Sequence, residues 1–141
     1  MSKTAGWRSS PPRVANTPRR VLVAEDDEDF RDLVTHALEL DGYNVEAVPD
    51  GGRLLVRIAR TYADGHPYDE FDLIVSDICM PVCDGLQILE GLRKALWRTP
   101  VILMTAFADA GTRVRAEARG AVLFTKPFAA SDLRATARSL I

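Results

Sequence analysis

Cysteine is nearly missing from this chain of 141 residues: Cys79 and Cys83 are the only two. Two thiols in one short stretch make no disulfide framework and are too few for a thiolate metal site. Both read as inert side chains rather than redox sensors. Histidine is as scarce, with His36 and His66 alone. Neither has a ligand partner at metal spacing, so neither is assigned a role, and His36 should be exposed. No apolar run approaches the roughly 20 residues that span a bilayer, and the N-terminus lacks the apolar stretch of a secretory signal. The expectation is a cytoplasmic protein with no membrane partner. What remains is ordinary for a globular chain, 47% hydrophobic and 27% charged, and long enough for one domain with a real core.

Acid is absent from the first 20 residues, which hold Lys3, Arg8, Arg13, Arg19 and Arg20. Of 18 basic residues, 13 are left to face 20 acids in the remainder, a balance of −7. An acidic body argues against nucleic-acid binding by the folded part. With Ser9, Ser10, Pro11, Pro12 and Pro18, residues 1–19 read as a disordered basic leader. A single domain is expected over residues 20–141.

Along that domain, short apolar runs alternate with amphipathic stretches. Arg20 to Ala24 reads as a buried strand, followed by five acids from Glu25 to Asp29 and a helix with Phe30, Leu33, Val34, Ala37 and Leu38 inward. Gly42 is a plausible helix stop. Asn44 to Val48 is a second strand, and Leu54, Leu55, Ile58 and Tyr62 mark a second helix. A long polar loop, Ala63 to Glu70, leads to a third strand from Phe71 to Ser76. A helix after Gly85 turns Ile88, Leu89, Leu92 and Leu96 inward. Val101 to Met104 is a fourth strand. The segment from Asp109 to Arg119 has Val114 as its one large aliphatic, so this helix should be thinly packed and the most mobile. Ala121 to Phe124 is a fifth strand, and Ser131 would cap a last helix with Leu133, Leu140 and Ile141 inward. Five strand–helix alternations with short connections argue for a doubly wound parallel sheet with helices on both faces. In such sheets the site lies beyond the carboxyl ends of the strands.

The chemistry-bearing residues fall at those ends. Strand one delivers Glu25 and Asp26, strand three Asp77, strand four Thr105, and strand five Lys126. Any one of them has a bland reading: a helix-capping acidic run, a turn aspartate, a strand-end threonine, a surface lysine. Together they bring three carboxylates, a hydroxyl and an ammonium to one edge. Three crowded carboxylates repel and call for a cation, and an all-oxygen set suits a hard ion such as Mg2+.

Four motifs carry a resemblance: VLVAEDDEDFR at 21–31, DICMPVCDG at 77–85, MTA at 104–106 and TKPF at 125–128. In this order, each at a strand end, they resemble the receiver domain of two-component response regulators, over about Arg20 to Ile141. The resemblance implies a flavodoxin-like sheet of order 2-1-3-4-5 with five helices. It implies that Asp77 accepts a phosphoryl group from a partner's phosphohistidine. Mg2+ (or Mn2+) would be held by Asp26 directly, by Glu25 directly or through water, by Asp77 and by the backbone carbonyl of Cys79. Lys126 would pair with Asp77 and then with the phosphoryl group, Thr105 would move toward that group, and the Lys126–Pro127 bond would be cis. Implied partners are a sensor histidine kinase or histidine phosphotransferase at the first helix and an output protein at the fourth helix, fifth strand and fifth helix, with a homodimer as an option. The protein would be a signalling phosphoacceptor rather than an enzyme, catalysing only its own phosphorylation and dephosphorylation. It reads as a stand-alone regulator or phosphorelay shuttle, or as a fragment of a larger protein.

The chain departs from the commonest pattern of that family in four places. Glu25 stands for an Asp, Cys79 for a polar side chain, and the loop at 63–70 is long. At Leu123 the family usually has an aromatic that swings inward; Phe124, next along the strand, should face the other way. Two rivals are a Mg2+-dependent phosphatase forming an aspartyl phosphate, and a pseudo-receiver that is never phosphorylated. The first typically needs an acid where Cys79 stands. The complete acid, Thr and Lys set argues against the second.

Overall fold

The computed structural model describes residues 17–63 and 70–141. Ten elements follow one another: β1 (Arg20–Ala24), α1 (Glu28–Leu40), β2 (Asn44–Val48), α2 (Gly51–Ala63), β3 (Leu73–Asp77), α3 (Gly85–Lys94), β4 (Val101–Thr105), α4 (Ala110–Ala118), β5 (Val122–Thr125) and α5 (Ala130–Leu140). The strands pair in parallel in the order β2-β1-β3-β4-β5. This is the doubly wound, flavodoxin-like arrangement expected of the sequence. Of the leader, residues 1–16 lie outside the described residues, as does most of the loop at 63–70, including His66.

Strand alternation splits the core in two. Leu22, Ile74, Leu103 and Leu123 point to one face of the sheet, where Leu54 of α2, Leu89 of α3 and Ala116 of α4 cover them. Val23, Val75, Ile102, Met104 and Phe124 point to the other, covered by Val34 and Leu38 of α1 and Leu133 of α5. Every residue of β3 and β4 is buried, as strands covered on both faces must be. The opposite facing of Leu123 and Phe124 follows from the same two-residue period.

Several inward assignments are corrected. Leu33 is 52% exposed, and Leu55 and Tyr62 also face out. The buried stripe of α2 is Gly51, Leu54 and Thr61. Thr61 is tolerated there because its hydroxyl bonds the Arg57 carbonyl one turn back and accepts from the Arg57 guanidinium. Leu96 lies beyond the end of α3 with φ +65° and is exposed, while Trp97 is buried. Strand three begins at Leu73, not Phe71. Phe71 is buried outside the ladder, with the guanidiniums of Arg20 and Arg57 at 5.0 and 4.9 Å from its ring. The fifth strand is Val122–Thr125. Ser131 does not cap α5; Ala129 stands at that position, with no side-chain hydrogen bond. Along α4 only Ala116 is buried. Arg115 ties this helix to α3 through two bonds to Glu90, at 3.1 and 2.8 Å.

The end of α1 is clamped to α5. Asp41 caps α1 and accepts two bonds from Arg134 and one from Arg138. The Arg134 guanidinium holds the Asp41 carboxyl below its ordinary 3.8. A depressed carboxyl pKa contributes stability that is present above the unfolded value and fades as pH falls through the folded one. Asp41→Asn should therefore lower the melting temperature at pH 7, and the gap to the native protein should narrow progressively as the pH of the melts falls below 3.8.

Candidate functional site

The site is built where β1, β3, β4 and β5 end. Glu25 follows the last residue of β1 and is 0% exposed. Its N–H donates to the Val48 carbonyl, and its own carbonyl accepts from Arg31. Both carboxylate oxygens are engaged: Oε1 accepts from the Lys126 ammonium at 2.7 Å, and Oε2 from the Asp27 N–H at 3.0 Å. Asp26 beside it is exposed. Asp27 caps α1 by accepting from the Phe30 N–H at 2.9 Å. That cap turns the chain sharply after β1 and so sets where Glu25 and Asp26 lie.

Asp77 ends β3 and is 5% exposed. The Lys126 ammonium also reaches its Oδ2, at 3.1 Å. Lys126 is placed by its own N–H, which donates to the Thr105 carbonyl at 2.7 Å, and it precedes a cis bond to Pro127. One ammonium thus bridges two carboxylates from separate strands. Carboxylate oxygens of Glu25, Asp26 and Asp77 lie within 4.8 Å of one another. Three carboxylates against one ammonium leave the pocket negative, and its donors are all hard oxygens, so a divalent cation of the Mg2+ kind fits this set.

The protonation energetics agree with that crowding. Burial pushes the Glu25 carboxyl up from 4.5, against the pull of Lys126. Burial alone would lower the Lys126 ammonium, yet hydrogen bonds to Glu25 and Asp77 outweigh it and raise it above 10.5. Thr105 is buried, and its hydroxyl accepts from the Phe107 N–H at 3.1 Å and donates to the Phe107 carbonyl at 3.2 Å. Cys79 is exposed on the loop after Asp77, and Cys83 is half-buried with its thiol pushed up by burial.

Residues 21–138 match the response regulator receiver domain family. The chain belongs to that family. It is 39% identical over 122 residues to the response regulator protein PmrA of Pseudomonas aeruginosa, covering 86% of this chain and 52% of that protein. It is 36% identical over 115 residues to the regulatory protein AtoC of Escherichia coli, covering 81% of this chain and 23% of that protein. The chain therefore spans about half or less of the length of these curated relatives. Among solved structures, the Francisella response regulator 1452 receiver domain superposes with a TM-score of 0.75 at 29% identity, covering 86% of this chain and 95% of that one. Receiver domains of response regulators are signalling modules that bind Mg2+ in an acidic pocket. No helix among the described residues is long and apolar enough to cross a membrane.

Some of what surrounds the receiver site was not expected from the sequence. Phe30 packs inward against the core as its helical spacing implies, and its ring also lies beneath the Lys126 ammonium at 4.6 Å. Gly85 sits so close to β3 that a Cβ there would lie 2.3 Å from the Asp77 carbonyl oxygen. Pro and Gly in DICMPVCDG mark a turn, but which backbone a glycine touches is a tertiary fact with no local signal.

Proposed function

We propose that Asp77 is the phosphoacceptor of this receiver domain and that its phosphorylation switches protein contacts. The observation that carries the reading is Lys126 Nζ spanning Glu25 Oε1 and Asp77 Oδ2 at 2.7 and 3.1 Å, with Asp26 in the same acidic cluster. An Asp77 carboxylate oxygen would donate an electron pair to the phosphorus of a partner's phosphohistidine. The P–N bond breaks, its pair returns to the imidazole nitrogen, and that nitrogen takes a proton. A carboxylate nucleophile needs no general base. What the site must supply is in-line positioning and charge neutralisation at the equatorial oxygens.

Asp26, Asp77, Glu25 and the backbone carbonyl of Cys79 would hold Mg2+ (or Mn2+), which when bound supplies positive charge next to the phosphoryl oxygens. Lys126 supplies the second positive charge. Thr105 can donate to a phosphoryl oxygen only by letting go of the Phe107 carbonyl, so its hydroxyl is a natural reporter of the new group. Such a change shifts a pre-existing equilibrium between two states. The donor would be a sensor histidine kinase or a histidine phosphotransferase, the receiver of the signal an output protein, and the compartment the cytoplasm.

Incubation with acetyl phosphate and Mg2+ followed by intact mass tests this. A single phosphoryl adduct is expected, absent in Asp77→Asn. Continuous release of phosphate from many phosphoesters would point instead to a phosphatase, and no adduct at all to a pseudo-receiver.

A further inference from the structure

We propose that Phe30 is a positioning residue for Lys126. Its ring, braced by Phe128, keeps the ammonium at the pocket while its hydrogen bonds pass from Glu25 to an arriving phosphoryl group. The inference rests on the phosphoacceptor reading above. An ammonium has three donors. Two are spent on Glu25 Oε1 at 2.7 Å and Asp77 Oδ2 at 3.1 Å. The third is left for a phosphoryl oxygen, and a second bond to the phosphoryl group requires the Glu25 bond to loosen, because the buried Glu25 competes for the same cation. The Phe30 ring, whose centroid is 4.6 Å from Nζ, attracts the charge through its quadrupole and occupies no acceptor position. It can stay in place while the hydrogen bonds exchange.

The ring is itself fixed from two sides. Its backbone N–H is bound by the Asp27 cap at the start of α1. Its edge meets Phe128 at 5.5 Å between centroids and 85° between planes, and Phe128 meets Phe124 of β5 at 5.0 Å and 65°. Such edge-to-face pairs have a preferred geometry and resist sliding. Phe128 belongs to the same short loop as Lys126, two residues on. The ammonium and the ring under it are therefore braced by one aromatic row running from α1 to β5. Leucine at position 30 would fill the apolar space without a quadrupole, and the lysine would then sweep more widely.

The test compares native protein, Phe30→Leu, Phe30→Tyr and Phe128→Leu. With acetyl phosphate and Mg2+, Phe30→Leu should be phosphorylated roughly two- to fivefold more slowly, the range set by a partly exposed cation–π contact. Phe30→Tyr should restore the rate, and Phe128→Leu should show a smaller loss. In the same samples the Lys126 ε-methylene protons should be shifted upfield by the ring in native protein and Phe30→Tyr, and not in Phe30→Leu. A merely structural role for Phe30 would lower the melting temperature and leave the rate unchanged, and an unchanged rate would overturn the inference whatever the lysine resonances do. A native protein that takes no phosphoryl group would overturn the function proposed above. The lysine resonances would still decide the placement of Phe30: upfield protons that return on Phe30→Leu support it, and unshifted protons refute it.

Discussion

Lys126→Met should lose phosphorylation by acetyl phosphate on the order of a hundredfold or more, the scale seen when one preorganised donor to developing charge is removed. It should also cost about 3 kcal/mol of stability at neutral pH, because Glu25 and Asp77 would face each other with no ammonium between them. The pH dependence identifies the cause. Burial raises the Glu25 carboxyl above 4.5. A carboxyl pKa raised by folding means that the folded state binds the proton more tightly, so stability is favoured below the ordinary value and lost as pH rises through the folded one. In the native protein Lys126 offsets part of that loss, and its own raised pKa keeps the offset in place until pH climbs past 10.5 toward the folded value. Without it, lowering the pH lets Glu25 take a proton and relieves the repulsion. Urea unfolding should therefore show a wide gap between native and Lys126→Met at pH 7.5 and a narrower gap at pH 5. A gap independent of pH would mean that the lysine stem, not its charge, holds the site.

Gly85→Ala has the second large effect. A Cβ at this position would stand 2.3 Å from the Asp77 carbonyl oxygen and 3.0 Å from Ser76 Oγ. The nearer neighbour is backbone, so α3 must back away or the end of β3 must shift. Overpacking of this kind costs roughly 1–3 kcal/mol. The functional cost should be larger, since a carboxylate displaced by a fraction of an ångström loses its line of attack, an effect that can reach about a hundredfold for 1 Å. Gly91→Ala is the control. It lies in the same helix with nothing within 4 Å of its would-be Cβ, so alanine should stabilise by roughly 0.5–1 kcal/mol. Unfolding curves of the two variants should move in opposite directions from native protein, and only Gly85→Ala should slow phosphorylation.

These two sites show how far residue pattern reaches. The continuous apolar runs of β1, β3 and β4 specify strands buried on both faces, and their alternation with amphipathic helices specifies a parallel sheet. The convergence of Glu25, Asp26, Asp77, Thr105 and Lys126 at one edge follows from that topology, because each residue comes at or just after a strand end. What was illegible depended on contacts across the fold. Leu33, Leu55 and Tyr62 fit a helical period, yet face outward because the adjoining stripe, with Thr61 on α2, meets the sheet. Ser131 has the chemistry of a cap but lies one residue inside α5, where only the path from β5 decides the start. Phe30 is separated from Lys126 by most of the chain, and Gly85 from nothing but a loop. In both cases the partner is set by how elements pack, which no spacing in the sequence encodes.

The most direct measurement is the location of the phosphoryl group itself. Native protein treated with acetyl phosphate and Mg2+ would be reduced with borohydride, which converts an acyl phosphate on aspartate to homoserine, then digested and sequenced by tandem mass spectrometry. The account predicts homoserine at position 77 and aspartate retained at position 26. Homoserine at position 26, or phosphate on any histidine, serine or threonine with Asp77 intact, would contradict it.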